Sequence, residues 1–186
     1  MLTFNFSPFP ILQTKRLTLR EITIEDAQDI FDLRNNPSGA KYLDRDLPKG
    51  IDEIIALIKS IQNGISKNEM IAWAMTEKGN TKFIGQISFH KTYPQHHRAE
   101  MGYQLMPEFW RRGYTNEAAK YVIEFGFNKM NLHSIEAQTN PNNLGSINLL
   151  LKNGFVQEEY FRENFFYNGK FLDTPVFSLV RKIEHG

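Results

Sequence analysis

Apolar and polar residues alternate along Arg16-Leu17-Thr18-Leu19-Arg20-Glu21-Ile22, the period of two that marks a half-buried strand. The period then lengthens. Residues 24–35 predict a helix, with Thr23 as N-cap and Pro37 as its stop. Ile51, Ile54, Ile55, Ile58 and Ile61 recur at helical spacing, so 51–65 predicts an amphipathic helix that ends near Gly64. Strand patterns follow at 70–76, 82–90 and 97–106, the first two joined by a Gly79-Asn80 turn. Their short separations predict an antiparallel meander.

A second helical stretch covers 115–129, with Ala118, Tyr121, Val122, Phe125 and Phe127 as its apolar positions. Residues 134–138 predict a strand. Residues 144–152 predict a helix closed by Asn153-Gly154, because Gly accepts the left-handed conformation of a helix end. Segments 155–167 and 171–180 flank Asn168-Gly169, and an Asn-Gly pair between alternating aromatic runs is a hairpin signal. The order of elements predicts a mixed α+β sheet, in which the helix between the fourth and fifth strands makes those two parallel.

Composition narrows the function classes. A chain of 186 residues predicts one domain, 1–186, able to bury about two-thirds of its unfolded surface. The net charge of +1 gives no bulk attraction for nucleic acid or an anionic membrane. No cysteine is present, which excludes disulfides, thiolate metal sites and a Cys nucleophile. The first twelve residues lack a basic leader and a small-residue cleavage site, and no apolar run approaches the ~18 residues of a membrane span. The expectation is a cytoplasmic protein without a membrane partner. No metal site is expected either: His96 and His97 are adjacent and point apart, and His90, His133 and His185 lack a third ligand at useful spacing. Tyr160, Phe161, Phe165, Phe166 and Tyr167 have the faces to stack bases. Glu158, Glu159 and Glu163 interleave with them, which favours hairpin packing or a wall for a substrate or a homodimer, and no direct nucleic-acid binding.

The chemistry concentrates in Trp110-Arg111-Arg112-Gly113-Tyr114-Thr115-Asn116-Glu117-Ala118, a polar turn between a strand and a helix. Such a turn gathers unpaired N–H groups at a helix N-terminus, where the macrodipole also favours an anion. Gly113 lets the backbone approach a phosphate closely. Arg111 and Arg112 add charge-assisted donors.

With these residues in view, the chain resembles the GNAT superfamily of acyl-CoA-dependent N-acetyltransferases, and within it the Rim-type ribosomal-protein N-acetyltransferases. Phe83-Ile84-Gly85-Gln86-Ile87 looks like the family's third strand and Ala99-Glu100-Met101-Gly102-Tyr103-Gln104-Leu105 its fourth. The Trp110 to Ala118 turn sits where the acetyl-CoA pyrophosphate loop belongs. Asn143-Leu144-Gly145-Ser146 and Lys152-Asn153-Gly154-Phe155 match the Asn-x-x-Ser…Gly-Phe signature of the next helix. Two positions depart from the pattern. Thr115 replaces the loop's final small residue, and Leu150 stands where some relatives carry a Tyr that protonates the leaving thiolate.

The resemblance implies a single GNAT-like domain, with a mostly antiparallel sheet of about seven strands, a splayed parallel pair and helices on both faces. It implies acetyl-CoA as donor and a primary amine as acceptor, a ribosomal-protein N-terminus above others. Pyrophosphate contacts map onto Arg111, Arg112, Gly113, Tyr114, Thr115 and Asn116. The pantetheine arm would run beside Gln104, Leu105 and Met106, where an N–H would polarise the thioester carbonyl. Asn143 and Ser146 share one helix face, with contacts to the arm implied and Ser146 as substitute proton donor; Asn143 also reads as a helix cap. Glu100, opposite in direction to Ala99 and Met101 on an alternating strand, is the first candidate base. An apolar cleft would raise its pKa towards the useful range, and Arg98 is its alternative partner. Glu136 on the neighbouring strand is the second candidate. Other readings are a small-amine acetyltransferase, for a polyamine, an amino acid or an antibiotic, and a CoA-binding module without catalysis.

Overall fold

The period-two segments form strands β1 (Leu12–Gln13), β2 (Leu17–Glu21), β3 (Ile71–Glu77), β4 (Gly85–Tyr93), β5 (Arg98–Leu105), β6 (Ser134–Gln138), β7 (Val156–Tyr167) and β8 (Lys170–Val180). The helices are α1 (Ala27–Asn35), α2 (Pro37–Ala40), α3 (Ile51–Ser66), α4 (Tyr114–Asn128) and α5 (Leu144–Lys152). A computed structural model of the chain describes residues 1–182. The strands make one sheet in the order β1-β2-β3-β4-β5-β6-β8-β7. It has eight strands rather than about seven, because Leu12 and Gln13 pair with Leu19 and Thr18. Two residues are too few to show a period.

Local signals work at the element ends with small shifts. Thr23 precedes a 3-10 turn, Ile24–Asp26, before α1 begins; the Asp26 carboxylate accepts the Thr23 N–H at 2.9 Å. Pro37 does more than stop α1. It opens α2, whose first turn is capped by the Asn36 side chain through the N–H groups of Ser38 and Gly39. At the hairpin Asn168 and Gly169 both take positive φ, 48° and 76°, as a type I′ turn requires.

The two faces of the sheet differ in chemistry. Trp73, Ile87 and Tyr103 lie abreast on one face, next to Ile71, Phe89 and Met101. That face meets α4: the Trp73 ring stands edge-on to Phe125 at 5.4 Å, and Gly126 makes room for Phe89. Ala72 and Ala74 on the other face are small enough for α3 to pack against β3. Beside them lie Gln86, Ser88, Gly102 and Gln104, a polar strip in an otherwise apolar interior.

Parallel pairing between β5 and β6 is short. Arg98, Ala99 and Glu100 pair with Ser134, Ile135 and Glu136, and there the ladder stops. Both strands continue, β5 to Leu105 and β6 to Gln138, the latter still paired to β8. The result is a V-shaped gap in the middle of the sheet. Among the described residues no helix is long and apolar enough to cross a membrane, and His185 lies outside them.

Candidate active site

The turn at residues 110–113 and the start of α4 stand at the mouth of the gap. Gly113, at φ 79°, is the N-cap of α4, so the helix starts at Tyr114 and Thr115 falls inside its first turn. Glu117 is the first residue whose N–H bonds back, to the Gly113 carbonyl at 3.0 Å. No side chain caps this helix, which leaves the amides of Gly113, Tyr114, Thr115 and Asn116 without intrahelical acceptors. The Trp110 indole N–H donates to the Leu105 carbonyl at 2.7 Å, tying the turn to the end of β5.

Arg16, which strand alternation alone did not single out, supports the same turn. Its Nε donates to Glu117 Oε2 at 2.7 Å, its Nη1 to the Arg112 carbonyl at 2.9 Å, and its guanidinium lies over the Tyr114 ring. Arg111 and Arg112 are exposed, Arg112 lying over Phe109. The Asn116 side chain accepts from Asn153 at 3.0 Å through Oδ1, which leaves its Nδ2 and its backbone N–H as donors.

A cleft of about 510 Å³ runs inward from the turn. Gln104, Leu105, Arg111, Gly113, Tyr114, Thr115, Asn116, Asn143 and Ser146 line it together, and Tyr103 joins them. Arg112, Met106, Glu100 and Glu136 are not on its wall. A larger open hollow lies beside α4, lined by Lys120 and His133, and holds none of these residues.

Backbone direction separates the three neighbouring β5 residues. The Met106 N–H is taken by the Ile84 carbonyl at 2.9 Å. With Gln104 opposite Gln86 and Gly102 opposite Ser88, antiparallel alternation turns the N–H groups of Gln104 and Gly102 towards β4 as well. Those of Tyr103 and Leu105 point into the gap. Of the three expected residues only Leu105 therefore has an N–H to offer a thioester there.

Asn143 caps α5 through Oδ1, which accepts the Ser146 N–H at 3.1 Å. The Ser146 hydroxyl lies 2.7 Å from the Tyr103 hydroxyl, and either can donate. Burial pushes the Tyr103 phenol up to about 12. Leu150 is fully buried in the core. Tyr103 stands on β5, and its sequence context showed only strand alternation.

Glu100 departs from expectation. Its carboxylate is buried but not in an apolar setting: Oε1 is 3.2 Å from His90 Nε2, and Oε2 accepts from Lys91 Nζ at 3.0 Å. A bulge in β4 between Phe89 and Lys91 lets two consecutive side chains reach one carboxylate. Gly102 leaves space for the imidazole, since a Cβ there would meet Nδ1 at 3.1 Å. The His90 hydrogen bond, then Lys91, hold the Glu100 carboxyl at about 2, a downward shift where an upward one was expected. Arg98 is not its partner. It binds Glu136 at 2.7 Å, on the strand opposite Glu100.

Comparison with known proteins gives the same architecture a family. Residues 16–156 match the Acetyltransferase (GNAT) domain. The uncharacterized N-acetyltransferase YoaA of Bacillus subtilis (strain 168) is 36% identical over 176 residues, 95% of this chain and 99% of that one. The spermidine N(1)-acetyltransferase of Vibrio cholerae is 26% identical over 160 residues, 86% of this chain and 90% of its own length. Among solved structures, RimL, a ribosomal alpha-N-protein acetyltransferase in complex with coenzyme A, superposes with a TM-score of 0.81 at 15% identity, covering 92% of this chain and 98% of its own. The chain belongs to the GNAT acetyltransferase family. By that membership it is an acetyl-CoA-dependent acyltransferase.

Proposed function

We propose that this protein transfers the acetyl group of acetyl-CoA to the N-terminal α-amino group of a protein, by direct attack within a ternary complex. The Tyr103–Ser146 hydroxyl pair, inside a gap whose mouth is an uncapped helix, is the observation that carries the reading. The amides of 113–116 hold the pyrophosphate, with Arg111 and Arg112 beside them. Pantetheine occupies the gap like a further strand, passing Asn143 and Ser146. The Leu105 N–H polarises the thioester carbonyl. The amine nitrogen attacks the carbonyl carbon, the C–S bond breaks, and the thiolate takes a proton from the Tyr103–Ser146 pair.

The amine's own proton leaves through water to Glu100, with Glu136 the second candidate; each carboxylate already has a basic partner, His90 and Lys91 for the first and Arg98 for the second. A carboxylate held at about 2 is a weak base. It suits an amine that is partly neutral beforehand. An α-amino group, with an unperturbed pKa of about 7.7–8.0, meets that condition and a Lys side chain near 10.4 does not. The RimL neighbour supports a ribosomal protein as acceptor. The spermidine relative keeps a small amine as the alternative, against which stands the absence of any acidic residue among the described residues lining the cleft.

Thiol release measured at pH 7.5 tests the acceptor. An N-terminal peptide should exceed, in kcat/KM, a peptide whose only amine is a Lys side chain; the reverse order would overturn the N-terminal reading.

A further inference from the structure

Two arginines sit behind the cleft wall without an acidic partner. Arg34 follows Ala27 and Ile30 on the inward side of α1. Its Nε is sealed from solvent and has no hydrogen-bond partner. Arg45 lies in the segment between α2 and α3 and donates Nη2 to Gln104 Oε1 at 2.9 Å. Neither forms an ion pair with a described residue, whereas Arg16, Arg20 and Arg98 each do. Asp44, adjacent in the chain, has its carboxylate engaged by Asn140 at 2.8 Å. Burial, together with the Arg45 charge, pushes Arg34 down to about 10, and burial lowers Arg45 as well.

Desolvating two like charges side by side is unfavourable unless an anion joins them. One neighbouring polar atom lacks the acceptor that an anion would supply. Gln104 gives its Oε1 to Arg45, and its Nε2 is buried without an acceptor. Since Gln104 lines the cleft, the Arg45–Gln104 bond connects the arginine pair to the space where an acceptor would lie on the sheet's polar face.

We propose that the acceptor amine belongs to a molecule carrying a carboxylate, which Arg34, Arg45 and the Gln104 amide hold while the amine meets the thioester. This deepens the acetyltransferase reading and rests on it. A planar guanidinium pair matches a carboxylate through parallel N–H···O bonds. The same pair repels a polyamine or a basic peptide, so specificity arises from attraction and exclusion together. Two sources offer the group: an acidic side chain near a protein N-terminus, or a free acidic amino acid.

The test measures kcat/KM at saturating acetyl-CoA for peptides of equal length beginning Ser-Asp, Ser-Asn and Ser-Lys, for free glutamate, and for spermidine. The acidic peptide or glutamate should exceed the Ser-Asn peptide about tenfold or more, the span of one charge-assisted contact, with the Ser-Lys peptide and spermidine lower still. Which of the two acidic acceptors leads identifies the source. Arg34→Met and Arg45→Met should remove the acidic preference through KM, while calorimetry finds acetyl-CoA affinity unchanged. Equal turnover of acidic, neutral and basic acceptors by the unmodified protein would overturn the proposal and leave the acetyltransferase reading standing. So would variants that weaken acetyl-CoA binding with the acceptor ranking intact, since the arginines would then serve the cofactor. Turnover of no acceptor, with acetyl-CoA bound, would sink both.

Discussion

A hydroxyl serves a leaving thiolate only while it keeps its proton, and burial keeps Tyr103 protonated to about 12. Replacing it isolates that function, because Tyr103→Phe removes one oxygen and keeps the ring. The expected outcome is a fall in kcat of about 10²-fold, the lower range for a general acid, with acetyl-CoA affinity unchanged. Ser146→Ala should act in the same direction, and the double variant should be little worse than Tyr103→Phe, as for residues that act as one unit. Single-turnover thiol release measures all three; an unaltered rate for Tyr103→Phe would remove it from the chemistry. At this scale the sequence was only partly legible. Alternation put Glu100 on the same side as Gly102 and Gln104, which the structure keeps. It could not show His90 and Lys91 reaching Glu100 together, because a bulge breaks the rule that neighbours on a strand point apart. Hence the shift of Glu100 was expected with the wrong sign.

Elements were more legible where the signal was local. Asn168-Gly169 marked the hairpin, and Asn143 and Gly154 marked the two ends of α5, through torsions and caps that depend on a few consecutive residues. The V-shaped gap was not legible in that way. It is a parallel ladder that stops after Glu100 and Glu136, and the residues beyond have the same strand pattern as those before. Its geometry depends instead on how β4 holds β5 from the other side. Gly85 is the tightest point of that contact: a Cβ there would collide with the Gln104 carbonyl oxygen and meet Leu105 Cα at 3.0 Å. Backbone atoms give way less easily than side chains. Gly85→Ala is therefore expected to destabilise the protein by about 1–3 kcal/mol, seen as a lower urea midpoint. It should also weaken acetyl-CoA binding, because the displaced strand carries the Leu105 N–H.

For the whole molecule, ligand binding and stability are linked. Acetyl-CoA in the cleft would touch α4, β5 and α5 at once, and binding the folded chain alone raises stability by about 2.7 kcal/mol at a hundredfold excess over Kd. For a chain of this length that corresponds to a rise in Tm of about 5–10 °C. Gly113→Glu should abolish the rise, since it sets a carboxylate among amides that await an anion. Scanning calorimetry with and without acetyl-CoA measures both. The family was legible at this scale from five motifs in order. The proposed acceptor recognition was not, because Arg34, Arg45 and Gln104 come from three separate parts of the chain and only folding brings them together.

The Trp110 indole, bonded to the Leu105 carbonyl, ties the turn before α4 to the end of β5, the two places proposed for the phosphates and the thioester of the donor. It acts as a gauge. A donor trimmed within its arm would seat its phosphates and leave its acyl carbon short of Leu105, becoming an occupant that blocks the enzyme without reacting. Donor length would then be matched to a span that one hydrogen bond holds.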